Sequence, residues 1–400
     1  MATRRFALPD IQDLSKEQER ARLLPREGCH LIVGGPGSGK SIIALLRTRR
    51  HHRAKGAQEY VFLVYNRLLL EASRELVGNA VNAHPWKTWF KSMFKRALGR
   101  NCPVIDGQAF ALDWEAILEA IAEAPETRPP LTPFVIIDEG QDMPAKFYQA
   151  LIAVGFERCY VVADQNQRIT EEHSSIREIT AELDIDPDAR IELTDNYRNC
   201  DRIARLALAL CIEDPASPCL KLPLERRCTR EPLLIDYGPG CAWDFDGLIR
   251  RILKAADRDP ARLYGIITPD NATRLRWLAA LHGHPVAHAL DHGRPRISTY
   301  ASGDEDGDHR FGLGGIFVIN AQSAKGLEFD TVLLADIDGY RFEPESRDQR
   351  DDLKRRFYVM ISRAREHVVL LRRAGHPCPV DAILPLTDPS LLVQLRCQPI

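Results

Sequence analysis

The chain has no surplus of either charge. Its 54 Lys and Arg face 56 Asp and Glu, a net charge of −2, so no global field draws it to a polyanion and any nucleic-acid contact needs a local basic groove. Nowhere does an uninterrupted apolar run approach the ~20 residues a bilayer span needs. Met1-Ala2-Thr3-Arg4-Arg5 has no apolar stretch behind it. No membrane partner is therefore expected, and a soluble cytoplasmic protein is. Ten cysteines are present without one Cys-x-x-Cys pair, which removes the commonest zinc and redox spacings. Free thiols in a reducing compartment are the expectation. No internal repeat is evident.

What the chain does have is length and a patterned apolar content: 400 residues, 44% hydrophobic, enough for two or three cored domains. Short, almost wholly apolar runs recur, among them Leu31-Ile32-Val33, Val61 to Val64, Phe134 to Ile137 and Tyr160 to Val162. Strands buried on both faces read this way, which implies a parallel sheet covered by helices. Between them lie helical patterns such as Ser41 to Arg50, with Ile42, Leu45 and Leu46 on one face. A second series includes Leu233 to Ile235, Gly265 to Ile267, Ile316 to Ile319, Val332 to Leu334 and Val368 to Leu371. The alternation predicts an α/β fold of two units in tandem, 1–190 and 191–400, with a short helical insert near 91–130 carried by Trp114, Ile117, Leu118 and Ile121. Residues 301–315 are polar and glycine-rich, as in an exposed loop; their acids depart from the spacing of a helix-loop-helix calcium site.

Gly34-Gly35-Pro36-Gly37-Ser38-Gly39-Lys40-Ser41 satisfies G-x-x-x-x-G-K-[ST], directly after an expected strand and before an expected helix, the context that marks a phosphate-binding loop. Glycines let backbone N–H groups face phosphates, and the helix start adds positive potential. Lys40 is assigned to the β- and γ-phosphates of ATP and the Ser41 hydroxyl to Mg²⁺. Asp138 and Glu139 end the apolar run from Phe134. Asp138 is the candidate for holding Mg²⁺ through its water shell, and Glu139 for activating the attacking water.

Asp138-Glu139-Gly140-Gln141-Asp142 is similar to the Asp-Glu-x-Gln-Asp box of superfamily 1 helicases, and the chain resembles a compact UvrD/Rep-type member. The resemblance implies two tandem RecA-like P-loop NTPase domains with an ATP cleft between them. It also assigns roles along residues 14 to 372. Gln18, in Leu14-Ser15-Lys16-Glu17-Gln18, would read adenine. Gln167, in Asp164-Gln165-Asn166-Gln167, would sense the γ-phosphate. Tyr197 would pack on the adenine and Arg198 reach the γ-phosphate; Glu328, in Lys325-Gly326-Leu327-Glu328, would meet the ribose; and Arg363 would be a second arginine finger. Tyr65 and Asn66, His84 and Trp86, and Gln322 resemble segments that lie along the strand, although Trp86 and Phe90, four apart, equally fit the core face of a helix.

Two departures matter. Only about fifty residues separate His84 from Asp138 and about 120 separate Arg198 from Gln322, which leaves no room for large accessory domains. Thr170 and Gln322 stand where relatives often carry an aromatic residue and a histidine, which removes one stacking platform. The implied function is a nucleic-acid-dependent ATPase translocating on single-stranded DNA, with 3′-to-5′ helicase activity. The alternatives are an ATP-driven regulatory or sensor subunit that switches a separate nuclease or effector protein, and a motor on RNA.

Overall fold

A computed structural model describes residues 7–107, 111–124, 133–167, 172–212, 221–223, 228–288, 290–300, 310–343 and 346–397. Thr170, residues 301–309 and parts of the 91–130 segment lie outside them. Two compact units result, one within Ala7–Thr194 and the other from Asp195 onward.

The first unit runs α1 (Lys16–Leu23), β1 (Cys29–Gly34), α2 (Lys40–Lys55), β2 (Tyr60–Val64), α3 (Arg67–Val77), β3 (Ala83–Pro85), α4 (Trp86–Leu98), α5 (Trp114–Ala122), β4 (Phe134–Ile137), α6 (Ala145–Val154), β5 (Cys159–Ala163), α7 (Ile176–Glu182) and β6 (Arg190–Leu193). Its strands form one six-stranded sheet in the order β3-β2-β4-β5-β1-β6, with every pairing parallel. Residues 60–64 and 159–163 are buried throughout, as strands covered on both faces must be. Because the strands are parallel, the loops after β1, β4 and β5 open at one sheet edge, where ligands of open α/β sheets collect.

A cluster of rings closes one side of this sheet. Trp86 is 1% exposed; its ring stacks on Trp114 at 6.3 Å and meets Phe147 edge-on at 5.2 Å, with Phe90 against both Trp114 and Phe147. α4 and α5 are thus welded to the sheet by the apolar faces their sequences display. Trp86→Ala is expected to cost about 3–5 kcal/mol of stability, read as a lowered urea midpoint; an unchanged midpoint would place the ring outside the core.

The second unit contains α8 (Asp201–Leu208), β7 (Leu233–Tyr237), α9 (Phe245–Arg258), β8 (Leu263–Thr268), α10 (Asn271–Gly283), β9 (Ile297–Thr299), β10 (Gly315–Asn320), β11 (Phe329–Leu334), α11 (Arg347–Ser362), β12 (Ala364–Arg373) and β13 (Val393–Leu395). The sheet order is β13-β7-β12-β11-β8-β10-β9, again parallel throughout. Gly265 in β8 admits the ring of Phe329 so closely that an added Cβ would stand 2.5 Å from it. Ile266, Trp277, Val318 and Leu253 centre the core.

Among the described residues no helix is long and apolar enough to cross a membrane. The expectation of ten free thiols is corrected: Cys200 pairs with Cys228 and Cys241 with Cys397. Partners 28 and 156 residues apart meet at the start of α8 and beyond the paired strands β7 and β13, and no short-range spacing announces them.

Candidate functional site

β1 ends at Gly34, and the chain turns through Gly37 and Gly39 at φ 78° and 90°, left-handed values that glycine adopts without strain. An added Cβ at Gly34 would stand 2.5 Å from the Ser38 hydroxyl and 2.7 Å from the Leu193 carbonyl. The backbone at Gly34 therefore packs too tightly against Ser38 and Leu193 to admit any side chain. α2 starts at Lys40, whose ammonium donates to the carbonyls of Gly34 at 2.6 Å and Gly35 at 2.8 Å and lies 3.4 Å from the Asp164 carboxylate. A buried cation seated on the loop's own carbonyls is poised for an anion in the same concavity.

The acid pair faces it from the end of β4. Ser41 donates its hydroxyl to Asp138 at 3.0 Å. Burial, and then the neighbouring Glu139 carboxylate, push the Asp138 carboxyl up to about 7, against the opposing pull of Ser41 and Lys40. A site crowded with buried negative charge and hard oxygen donors fits a divalent cation such as Mg²⁺. Ser41 and Asp138 are the residues that would hold it. Glu139 adopts φ 55°, a left-handed conformation sparsely used outside glycine and a form of strain that clusters at functional sites. The Gln141 amide donates to its carboxylate at 2.6 Å.

Two residues without an assigned role complete the network. Gln141 also accepts from the Asp164 amide N–H at 2.9 Å, and Asp164 accepts from the Gln167 side chain at 2.8 Å. The Asp164 carboxylate therefore links Lys40 to Gln167, and Gln141 links Glu139 to the same loop. The repeated carboxamide and acid in Asp138 to Asp142 and Asp164 to Gln167 were the only sequence signal of this bridge.

Gln18 reaches the loop from α1, where it completes a capping box with Ser15; its side-chain amide donates to the Ser38 carbonyl at 2.9 Å and lies over Gly39. Arg47, absent from the sequence reading, fixes that helix's exit. Its guanidinium, 1% exposed, donates to the carbonyls of Arg22, Leu24 and Pro25 and stacks on Tyr160 at 4.4 Å. Burial lowers it only to about 10, so it stays charged at neutral pH.

In the second unit, Arg198 donates to Glu328 at 2.7 Å and faces the Ser362 carbonyl. Asn199 staples the same segment to the Ser362 and Ala364 carbonyls at 2.9 and 2.6 Å. Arg363 caps α11 and is 1% exposed, its guanidinium donating to Val359 at 3.1 Å. Tyr197 is 47% exposed, its hydroxyl donating to the Asp195 carboxylate at 3.2 Å. The structure thus gathers Arg198, Glu328 and Arg363 near the starts of β11 and β12.

Residues 315–371 match the UvrD-like helicase C-terminal domain. That segment runs from β10 through most of β12 and includes Gln322, Glu328 and Arg363. No curated protein matches the chain. Among solved structures, the chain is similar to the C-terminal domain of a possible DNA helicase from Lactobacillus plantarum WCFS1, at 16% identity and a TM-score of 0.33, over 50% of this chain and 98% of that one.

Four of the strand-contact candidates lie in the first unit and Gln322 in the second. Trp86 is spent in the core. The Asn66 side chain caps α3 by accepting from the Leu69 N–H, and Tyr65 packs half-buried against the core. His84 bonds Asn82 at 2.8 Å, and burial lowers its pKa, helped by Arg74 and Arg96. Gln322 is exposed in the turn after β10.

Proposed function

We propose that the chain hydrolyses ATP and moves along single-stranded nucleic acid, most readily DNA, acting as a 3′-to-5′ helicase. The observation that carries this reading is the Lys40 ammonium seated at the end of β1 in a glycine loop, opposite the Asp138 and Glu139 carboxylates, in a chain that also contains the UvrD-like helicase segment. Mg²⁺ bound at Ser41 and Asp138 would supply neutralisation of the β- and γ-phosphate charge. Lys40 leaves its carbonyl seat to bind those phosphates, and Glu139 holds and deprotonates the attacking water. Gln167 registers the γ-phosphate through the Asp164 bridge. Arg198 and Arg363 stabilise charge developing on the transferred group, with Tyr197 and Gln18 on the adenine and Glu328 on the ribose.

A second reading, an ATP-driven regulatory or sensor subunit that switches a partner nuclease or effector, is favoured by the small insert. Between β3 and β4 the described residues hold only α4 and α5, both fixed to the core. Steady-state ATP hydrolysis with and without single-stranded DNA, duplex DNA and single-stranded RNA tests the first reading, with Glu139→Gln as the blank. Stimulation on the order of tenfold by single strands, about 1.4 kcal/mol off the activation barrier, is expected; no stimulation with basal turnover intact refutes the strand-coupled motor. A forked duplex left unseparated despite stimulation would select the regulatory reading.

A further inference from the structure

A cleft of about 660 Å³ opens where the chain leaves β7 and enters α9, in the other unit from the phosphate loop. We infer that it binds the phosphodiester backbone of a nucleic-acid strand, giving the protein a second nucleic-acid contact. One rim is the turn of Gly238 and Gly240, both with positive φ and with no side chain to hold a backbone away. The other is a row of cations on α9: Arg250, Arg251, Lys254 and Arg258, all exposed. None of the four forms an ion pair among the described residues.

The nearby acids are committed elsewhere. Asp244 caps α9 by accepting from the Gly247 N–H at 2.8 Å, and Asp246 lies 3.2 Å from His284. Asp257 accepts the backbone N–H groups of Asp291 and His292, and Asp259 pairs with Arg262. These carboxylates keep their charge and Asp244 itself lines the cleft, but four cations there outnumber that one acid, a local positive excess in a chain of net charge −2.

Spacing identifies the anion. Arg250, Lys254 and Arg258 recur every four residues on one helix face, a step of about 6 Å along the axis, which suits successive phosphates of one strand better than a lone phosphate. The volume is in the range that takes ligands of nucleotide size. Trp243 lies beside the row with the Arg251 guanidinium 4.8 Å from its ring centre, an aromatic and cationic pair of the kind on which bases stack.

The test is a fluorescence-anisotropy titration of the full chain with a labelled single-stranded DNA oligonucleotide, without ATP, over a range of KCl concentrations. Arg250→Glu/Lys254→Glu is compared with Lys95→Glu/Arg96→Glu, an equal charge reversal at exposed positions of α4. Each strand-phosphate contact adds about 0.7 to the slope of log affinity against log salt, so the first variant is expected to bind about tenfold more weakly with a slope reduced by about 1.4. The second is expected to bind as the unaltered chain does. Unaltered binding by the first variant, equal weakening by both, or no binding by the unaltered chain each overturns the inference. Because binding is read without hydrolysis, strand binding lost on reversing Arg250 and Lys254 in a chain with no strand-stimulated ATPase would refute the motor reading and leave this one standing.

Discussion

Glu139→Gln is expected to lower ATP turnover by about 10²–10⁴-fold, the usual contribution of a positioned general base, while Mg²⁺·ATP still binds. The substitution is nearly isosteric and keeps the geometry. Its amide oxygen still accepts from Gln141, and Tyr148, donating to the Gly140 carbonyl at 2.7 Å, still holds the following residue. What disappears is the carboxylate able to take a proton. Phosphate release gives the rate, and titration with a fluorescent ATP analogue gives the affinity. Turnover near that of the unaltered chain would remove Glu139 from the chemistry, and loss of nucleotide affinity with loss of rate would point to a structural role instead.

Lys40→Ala is expected to cost on the order of 10²–10³-fold in turnover by removing the cation that neutralises phosphate charge, and to weaken nucleotide binding as well. Folding should survive. Asp164, which lies 3.4 Å from the lost ammonium, keeps two closer donors in the Gln167 side chain at 2.8 Å and the Asn166 N–H at 3.0 Å, so its charge is not left unpaired in the interior. Retained far-UV ellipticity with hydrolysis lowered by that factor is the predicted outcome; hydrolysis at a normal rate would refute the phosphate-loop assignment.

The central strands were legible because both their faces are covered, which forces runs such as Val61 to Val64 and Phe134 to Ile137 to be apolar throughout. β3, β9 and β13 were not. Each has three residues at a sheet margin, too short for any periodicity to register. The phosphate loop was legible because adjacent residues perform its work. The Gln141 and Asp164 bridge was only half visible: the backbone N–H of Asp164 donates to the Gln141 side chain 23 residues away, a bond that exists only once β4 and β5 align. Trp86 illustrates the opposite case. An aromatic residue after a strand end suits a base or a core equally well, and only the neighbouring rings of Trp114 and Phe147 decide. Arg47 was hidden by its own helix, since a cation on an amphipathic pattern reads as solvated until carbonyls are found around it.

The aromatic weld of α4 and α5 to the first sheet also bears on modularity. A protein engineer who wished to exchange this segment for a larger strand-separating module would find no clean seam, because Trp86, Phe90 and Trp114 are structural members of the host sheet's interior. Excision would leave a hole lined by Phe147. Any graft would have to bring replacement rings at matching positions, and a duplex-splitting wedge is more readily added at an exposed loop than substituted here.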